Sequence, residues 1–363
     1  MFDALSNAAN PANATRRQWL RLCICLGAGL ATAAAGAKPA ALVWRERAMV
    51  GLGTTLSLRA AHADGAQADA GLDAAVAQIR HVERLMSLFD PQSALSQLNR
   101  DGVLRYPHPD FARVLQLAQR VSRQSAGAFD ATVQPLWLAW QSAQQAGRLP
   151  TQAEIGAARA RVGWQNIEVT PRQIRLKQTG MALTLNGIAQ GFAGDLAKAA
   201  LRSHGIRHAL LDTGEWSALG NSTGQSTGQS TGPSPGQNTS LSPNPSAWRL
   251  GIEDPRKAGS LVAKLALDGR AVATSSDAHY RFGQDDVHHH IFNPATGYSP
   301  RALASVTVLA PSCALADALT KVMFMGNAQR AMQLAQRWQV DVLAVEKTGQ
   351  WRASPGLAAL LRA

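Results

Sequence analysis

The 363-residue chain has only three cysteines, and two of them, Cys23 and Cys25, lie within its first 37 residues. Beyond that point only Cys313 is left, so the remainder of the chain can form no internal disulfide. No small-residue lipobox precedes Cys23, which excludes lipid attachment there. Long apolar runs are also lacking. The run over residues 22–35 is broken by glycines and falls short of the ~20 residues that a spanning helix needs. The formal charge is +12, yet there is no Lys/Arg block, no interleaving of aromatic and basic residues and no nucleic-acid motif. That excludes the usual nucleic-acid binders and leaves anionic membranes or phosphorylated ligands as partners for a basic chain.

What is present begins with a targeting segment. "TRRQWLRLCICLGAGLATAAAGA" sets Arg16 and Arg17 before an apolar run that ends in Ala35-Gly36-Ala37. This is the charged, apolar and small-residue order of an export signal. The paired arginines favour a Tat-type route, which carries folded proteins. Residues 1–37 are therefore expected to be a Tat-type signal directing the chain to the periplasm, cleaved or kept at the inner membrane. The whole chain is 46% apolar, ample for a core in residues 38–363.

Patterning gives the organisation. "MVGLGTTLSLRA" predicts strands that bend at Gly51 and Gly53. Apolar residues at helical spacing predict helices over 70–87, 94–99 (with Ser93 as N-cap), 111–125, 155–162 and 191–205. A hairpin is expected over 166–176, and strands over 182–185 and 208–211. Residues 220–246, "GNSTGQSTGQSTGPSPGQNTSLSPNPS", are low-complexity and have little to bury. They predict a flexible insertion between strands that neighbour each other in one sheet. Further strands are expected over 248–252, 262–267, 271–274, 304–310 and 340–345, with helices from 312 and over 328–338. Strands and helices mix without strict βαβ alternation, so the expected class is α+β, mixed sheets packed with helices.

Four stretches do not read as ordinary core. In "GAFDATVQPLW", Asp130 stands beside Phe129 after a glycine turn; alone, it could equally be a helix cap. In "LTLNGIAQGFAGD", a strand-like run enters Gly187 and Gly191 and then a helix. Such a junction can present backbone N–H groups and the positive helix end to an anion, although it is neither a P-loop nor G-x-G-x-x-G. "VHHHIFNPATGYSP" has three adjacent histidines. Adjacent strand residues point to opposite faces, so His288, His289 and His290 cannot all hold one ion from regular structure. Only His290 is expected to be functional, with His288 and His289 partly solvated. In "VTVLAPSCALADALTKVMFMG", Asp317, Thr320 and Lys321 share one helix face at i, i+3 and i+4.

These stretches, with "MSLFDPQSALSQLN" and "NGIAQGFAGDLAKAALRSHGI", resemble the FAD:protein FMN transferase (ApbE-like) family from about residue 49 to 345. The Gly214-Glu215 turn and the export signal resemble its NosX-like branch. The resemblance implies a single ApbE-like catalytic domain. It also implies transfer of FMN from FAD, with magnesium, to a Thr or Ser hydroxyl of an exported or membrane redox protein, releasing AMP. Carried over by position, flavin contacts fall on Leu52, Met86, Tyr106, Ala128, Phe129, Asp130 and Thr184. The metal residues fall on Gly187 (through its carbonyl), Asp317 and Lys321. His290, Asp317 and Lys321 become the catalytic candidates. Departures stand at four places: Thr184 replaces a usual Asp, Gln190 a Lys or Glu, Asn293 an Asp, and Lys321 a Thr or Ser. Carboxylates are lost and a cation gained where the ion belongs. A flavin carrier without transfer, or an FAD hydrolase, is the alternative that these changes suggest.

Overall fold

A computed structural model describes residues 41–223, 246–283 and 287–361. The expected export signal lies outside the described residues, as does all but the edges of the 220–246 insertion. In chain order, β1 (Val43–Gly51) and β2 (Thr54–His62) lead to α1 (Gly65–Met86), α2 (Ala94–Asp101), β3 (Val103–Arg105), α3 (Pro109–Gln124), α4 (Gln134–Gln145) and α5 (Gln152–Arg159). β4 (Ile167–Val169) and β5 (Gln173–Leu176) precede α6 (Ala189–Ser203), β6 (His208–Asp212) and β7 (Trp216–Leu219). After the insertion come β8 (Arg249–Glu253), β9 (Leu261–Ala266), β10 (Ala271–Ser276) and β11 (Leu303–Ala310). α7 (Cys313–Phe324), α8 (Ala328–Trp338), β12 (Asp341–Glu346), β13 (Trp351–Ala353) and α9 (Pro355–Leu361) complete the described chain.

The main sheet runs β1-β2-β6-β7-β10-β11-β12-β13, with smaller sheets β3-β5-β4 and β8-β9. Strand residues alternate between its faces, and both faces are covered. Leu211, Val306, Val308, Val342 and Ala344 join a core with Leu72 and Ile79 of α1, Ala193 and Ala197 of α6, and Leu319 and Val322 of α7. Their neighbours Leu210, Leu309, Leu343 and Val345 face the other way, into a second core with Leu250, Leu265 and Leu357 from β8, β9 and α9. This explains why all eight residues of β11 are buried. A third apolar cluster holds Leu136 and Trp140 of α4, Ile155 of α5, Phe282 and Phe292.

The α+β expectation stands, and three local ones change. Residues 182–185 form no strand. The side chain of Asn99 replaces a ladder there: Leu183 N–H donates to Asn99 Oδ1 at 2.7 Å, and Asn99 Nδ2 donates to the Leu183 carbonyl at 2.8 Å. The strands flanking the insertion are not neighbours in one sheet, because among the described residues β8 pairs with β9 alone. The ends of the insertion nevertheless meet, with Ser222 N–H donating to the Ser246 carbonyl at 2.9 Å. The helix α4 was not expected at all. It begins without a side-chain cap, just after the Asp130 turn.

Candidate active site

The junction before α6 is the centre of the site. Thr184 N–H donates to the Ala131 carbonyl at 2.8 Å, tying the junction to the Phe129–Asp130 turn. A Cβ placed on Gly187 would lie 3.2 Å from Lys321 Cε and 3.4 Å from the Phe129 ring, so a side chain here would crowd both. Gln190 Nε2 donates to the carbonyl of Leu52 at 3.2 Å, which brings in the β1–β2 tip. Leu52 itself has φ +51, and its N–H is held by Glu83 of α1 at 2.9 Å. Leu52, Phe129, Thr184, Gly187, Asp317 and Lys321 are thus brought together around one junction.

Gly191 has a packing role where the sequence suggested an anion cradle. A Cβ on it would stand 2.3 Å from the Cys313 carbonyl oxygen, so α6 and α7 could not approach so closely with any other residue. The two helices cap each other. Asp195 of α6 accepts from Cys313 N–H and Ala314 N–H at 2.7 and 3.0 Å, at the start of α7. Asp317 of α7 accepts from Gly191 N–H at 3.3 Å, in the first turn of α6. Each carboxylate meets the positive end of the other helix. Asp195 was not foreseen, although its place four residues after Gly191 on the same helix was a signal.

Charge is concentrated behind this crossing. The Asp317 side chain is 0% exposed and pairs with Lys321 Nζ; the Lys321 side chain is 22% exposed. Lys321 Nζ also donates to the Asp317 backbone carbonyl at 3.2 Å. Glu215 is buried beside them, with its Oε2 accepting from Thr274 N–H at 3.0 Å. Burial pushes the Glu215 carboxyl well up, Asp317 adds to this, and the Lys321 charge opposes it. Its role was missed because Glu215 reads only as a turn variant, though a Glu inside "LLDTGEWSAL" is the visible signal.

His290 is half-buried. Burial, with repulsion from His279, His289 and Lys321, pushes it down to about 3, so its ring is neutral at pH 7. Its Nδ1 lies 3.3 Å from the Tyr280 carbonyl, which can only accept, so Nδ1 carries the proton and Nε2 keeps its lone pair. Of the neighbouring histidines, His288 is partly exposed as expected and His289 is not. His289 is fully buried, its Nε2 bonding the Pro300 carbonyl at 3.0 Å and its N–H the Ser299 hydroxyl at 2.8 Å. The His288 ring packs at a tilt against Trp140, with centroids 4.9 Å apart. His288 fastens the segment to the aromatic cluster, and His289 packs against Phe324 of the main core.

The remaining candidates are more structural or more distant. Asp130 accepts from Thr132 N–H and Oγ1 at 2.8 and 2.6 Å and from Trp164 N–H at 3.1 Å. Its carboxylate shapes the turn and does not cap α4; burial raises its pKa. Met86 is buried in the main core at the end of α1. Ala128 packs against that core. Tyr106, with φ +49, is 83% exposed beside a groove of about 610 Å³ that Arg105 and Arg172 also line. Far from the histidine run, His81, His108 and Asp110 are of metal-ligating type and lie close together. They already serve one another. Asp110 takes His81 at 3.0 Å and Arg113 at 3.1 Å, and His108 Nδ1 caps α3 at Asp110 N–H.

The ApbE family model matches residues 52–344, most of the chain and all of this site. The chain belongs to the ApbE family. It is 31% identical to a FAD:protein FMN transferase of Vibrio cholerae over 241 residues, 65% of this chain and 66% of that protein. A FAD:protein FMN transferase of Klebsiella pneumoniae is 28% identical over 281 residues, 74% of this chain and 80% of its own. The fold matches the ApbE protein of Thermotoga maritima with a TM-score of 0.74 at 22% identity, over 88% of this chain and 100% of that one. It also matches the flavin transferase ApbE of Vibrio cholerae with a TM-score of 0.72 at 24% identity, over the same shares.

For an ApbE-family chain, the expected magnesium ion can be tested against the residues present. Magnesium demands a near-octahedral set of oxygens at about 2.1 Å. The Gly187 carbonyl and the Asp317 carboxylate are of the right type. Lys321 is not, because an ammonium has no lone pair to offer. Of the two Asp317 oxygens, Oδ1 takes Lys321 Nζ and Oδ2 takes Gly191 N–H. The Gly187, Asp317 and Lys321 set as folded does not fit the ion, since a cation already stands at the Asp317 carboxylate.

Proposed function

We propose that the chain transfers FMN from FAD to a Thr or Ser hydroxyl of a client protein and releases AMP. The observation that carries the reading is family membership over residues 52–344, which include every candidate gathered at the junction. In the transfer, the client hydroxyl oxygen bonds to the flavin-side phosphorus. The bond from that phosphorus to the bridging oxygen breaks, and AMP leaves with the oxygen. The hydroxyl proton passes to a base; His290 Nε2 keeps the free lone pair that the role needs, although burial makes it a weak base. The backbone at Leu52 and Thr184 and the Phe129 ring would hold the flavin end. Tyr106 stands further out, where Arg105 and Arg172 favour an anionic or aromatic ligand.

The client is an exported or membrane-bound redox protein in this reading, and the site of action is the periplasm. Support comes from the twin-arginine segment before Ala37. Among the described residues no helix is long and apolar enough to cross a membrane. The Gly214-Glu215 turn favours the NosX-like branch. No step is assigned to magnesium.

The Lys321–Asp317 pair favours a second reading, a flavin carrier or FAD hydrolase. One experiment separates them. Mature protein, FAD and a candidate client are incubated and run on a denaturing gel. Flavin fluorescence on the client band supports transfer. Free FMN and AMP with a dark client band mark a hydrolase, and unchanged FAD marks a carrier.

A further inference from the structure

We propose that Lys321 replaces the divalent ion of this site, its ammonium being a tethered cation that meets the FAD pyrophosphate. This inference rests on the flavin-transfer reading and names how that reaction is neutralised in this chain. The geometry is that of an anchored charge. The stem of Lys321 runs along Gly187, whose missing side chain leaves room for Cδ and Cε. Its Nζ is held by both the carboxylate and the backbone carbonyl of Asp317, one turn earlier on α7. Asp317 is wholly buried and the Lys321 side chain is 22% exposed, so Lys321 is the member of the pair that reaches solvent. An ammonium has three donors. Two acceptors on Asp317 leave capacity for a phosphate oxygen.

Charge counting points the same way. A divalent ion binds where carboxylates outnumber cations. Here the Asp317 charge is cancelled by Lys321, Thr184 offers a hydroxyl in place of a carboxylate, and the other carboxyl beside them, Glu215, is taken up by Thr274 N–H. An incoming cation would meet a neutral pair and be repelled by the nearer ammonium. An incoming pyrophosphate would meet a localised positive charge, and lysine serves as a point-charge phosphate binder for this reason. The cost of holding that charge in place is met by folding, since Asp317 also caps α6 through Gly191 N–H. Turnover therefore needs no ion to arrive with the substrate.

The test combines metal binding with transfer. Mature protein is stripped with EDTA and titrated with Mn2+, followed by the loss of free-ion EPR signal. The wild type is expected to bind no Mn2+ in the low millimolar range, and Lys321→Ser, which frees Asp317, is expected to bind it at least tenfold more tightly. Transfer by the wild type should change less than twofold with EDTA. Lys321→Met should transfer at least tenfold more slowly, and Lys321→Ser should need added Mg2+ or Mn2+. Because Lys321→Met leaves Asp317 unpaired, the double variant Asp317→Asn/Lys321→Met keeps the cluster neutral and should be equally slow. Tight Mn2+ binding by the wild type, or its inactivation by EDTA, would overturn the proposal. If no variant and no wild type transfers FMN at all, the flavin-transfer reading fails, while the Mn2+ titration still decides whether Lys321 excludes the ion.

Discussion

At the scale of single residues, the site is governed by what burial does to charge. Glu215 is held by Thr274 N–H but has been taken out of water, and its carboxyl is pushed up from 4.5. An acid whose folded value is raised costs stability only above its unfolded value, because there the unfolded chain gives up the proton first. The cost is absent below about pH 4.5 and grows as pH rises. Glu215→Gln should therefore match the wild type in Tm near pH 4 and exceed it increasingly toward neutral pH. A Tm difference that stays flat from pH 4 to 8 would show that Glu215 is not held neutral. His290 is the opposite case, a base pushed down to about 3. It stays neutral across the range in which proteins are assayed. His290→Ala should slow transfer by about 10²–10⁴-fold with Tm nearly unchanged, the usual span for loss of a positioned base. The wild-type pH profile should show no limb near 6.5, and a full-amplitude limb there would mean that His290 titrates normally. Asp317 and Lys321 were legible as neighbours from their spacing alone. Their burial, and the part of Glu215, needed the three-dimensional structure, which spacing does not carry.

Among the elements, legibility followed periodicity. The long helices α1, α3, α6 and α7 show it, and α1 runs five residues further back than its apolar pattern because Asp64 caps it at Ala66 N–H. The helix α4 escaped although Leu136, Trp140 and Ala143 have helical spacing, since Val133 gives no capping signal. Residues 182–185 read as a strand because they are apolar and extended. What they lack is a partner strand, and an amide side chain, Asn99, takes its place. Composition sets residues 220–246 apart, and most of them lie outside the described residues. The ends of this insertion are joined by Ser222 and Ser246, so the chain can be closed there with little change. Deleting residues 224–245 should alter stability by about 1 kcal/mol or less, the scale of a change in loop-closure entropy. Thermal unfolding of the shortened protein checks this. A drop of many degrees would show that the loop packs, and loss of transfer at unchanged Tm would make it a docking element for the client.

For the whole molecule, a sheet buried on both faces fixes a helix crossing, and the crossing fixes a charged junction, which in the proposed function is where FAD is opened. The α+β class and the family were legible in the sequence because spaced motifs survive in order. The cross-capping of α6 and α7 was not, since it joins Asp195 to Cys313 and Asp317 to Gly191 across more than a hundred residues. The most direct test of the central claim is the mass of a candidate client after incubation with mature protein and FAD. The account predicts that the client gains one FMN less the elements of water on a single Thr or Ser, with one AMP released per label. Unmodified client, with FAD either intact or merely hydrolysed to FMN and AMP, would contradict it.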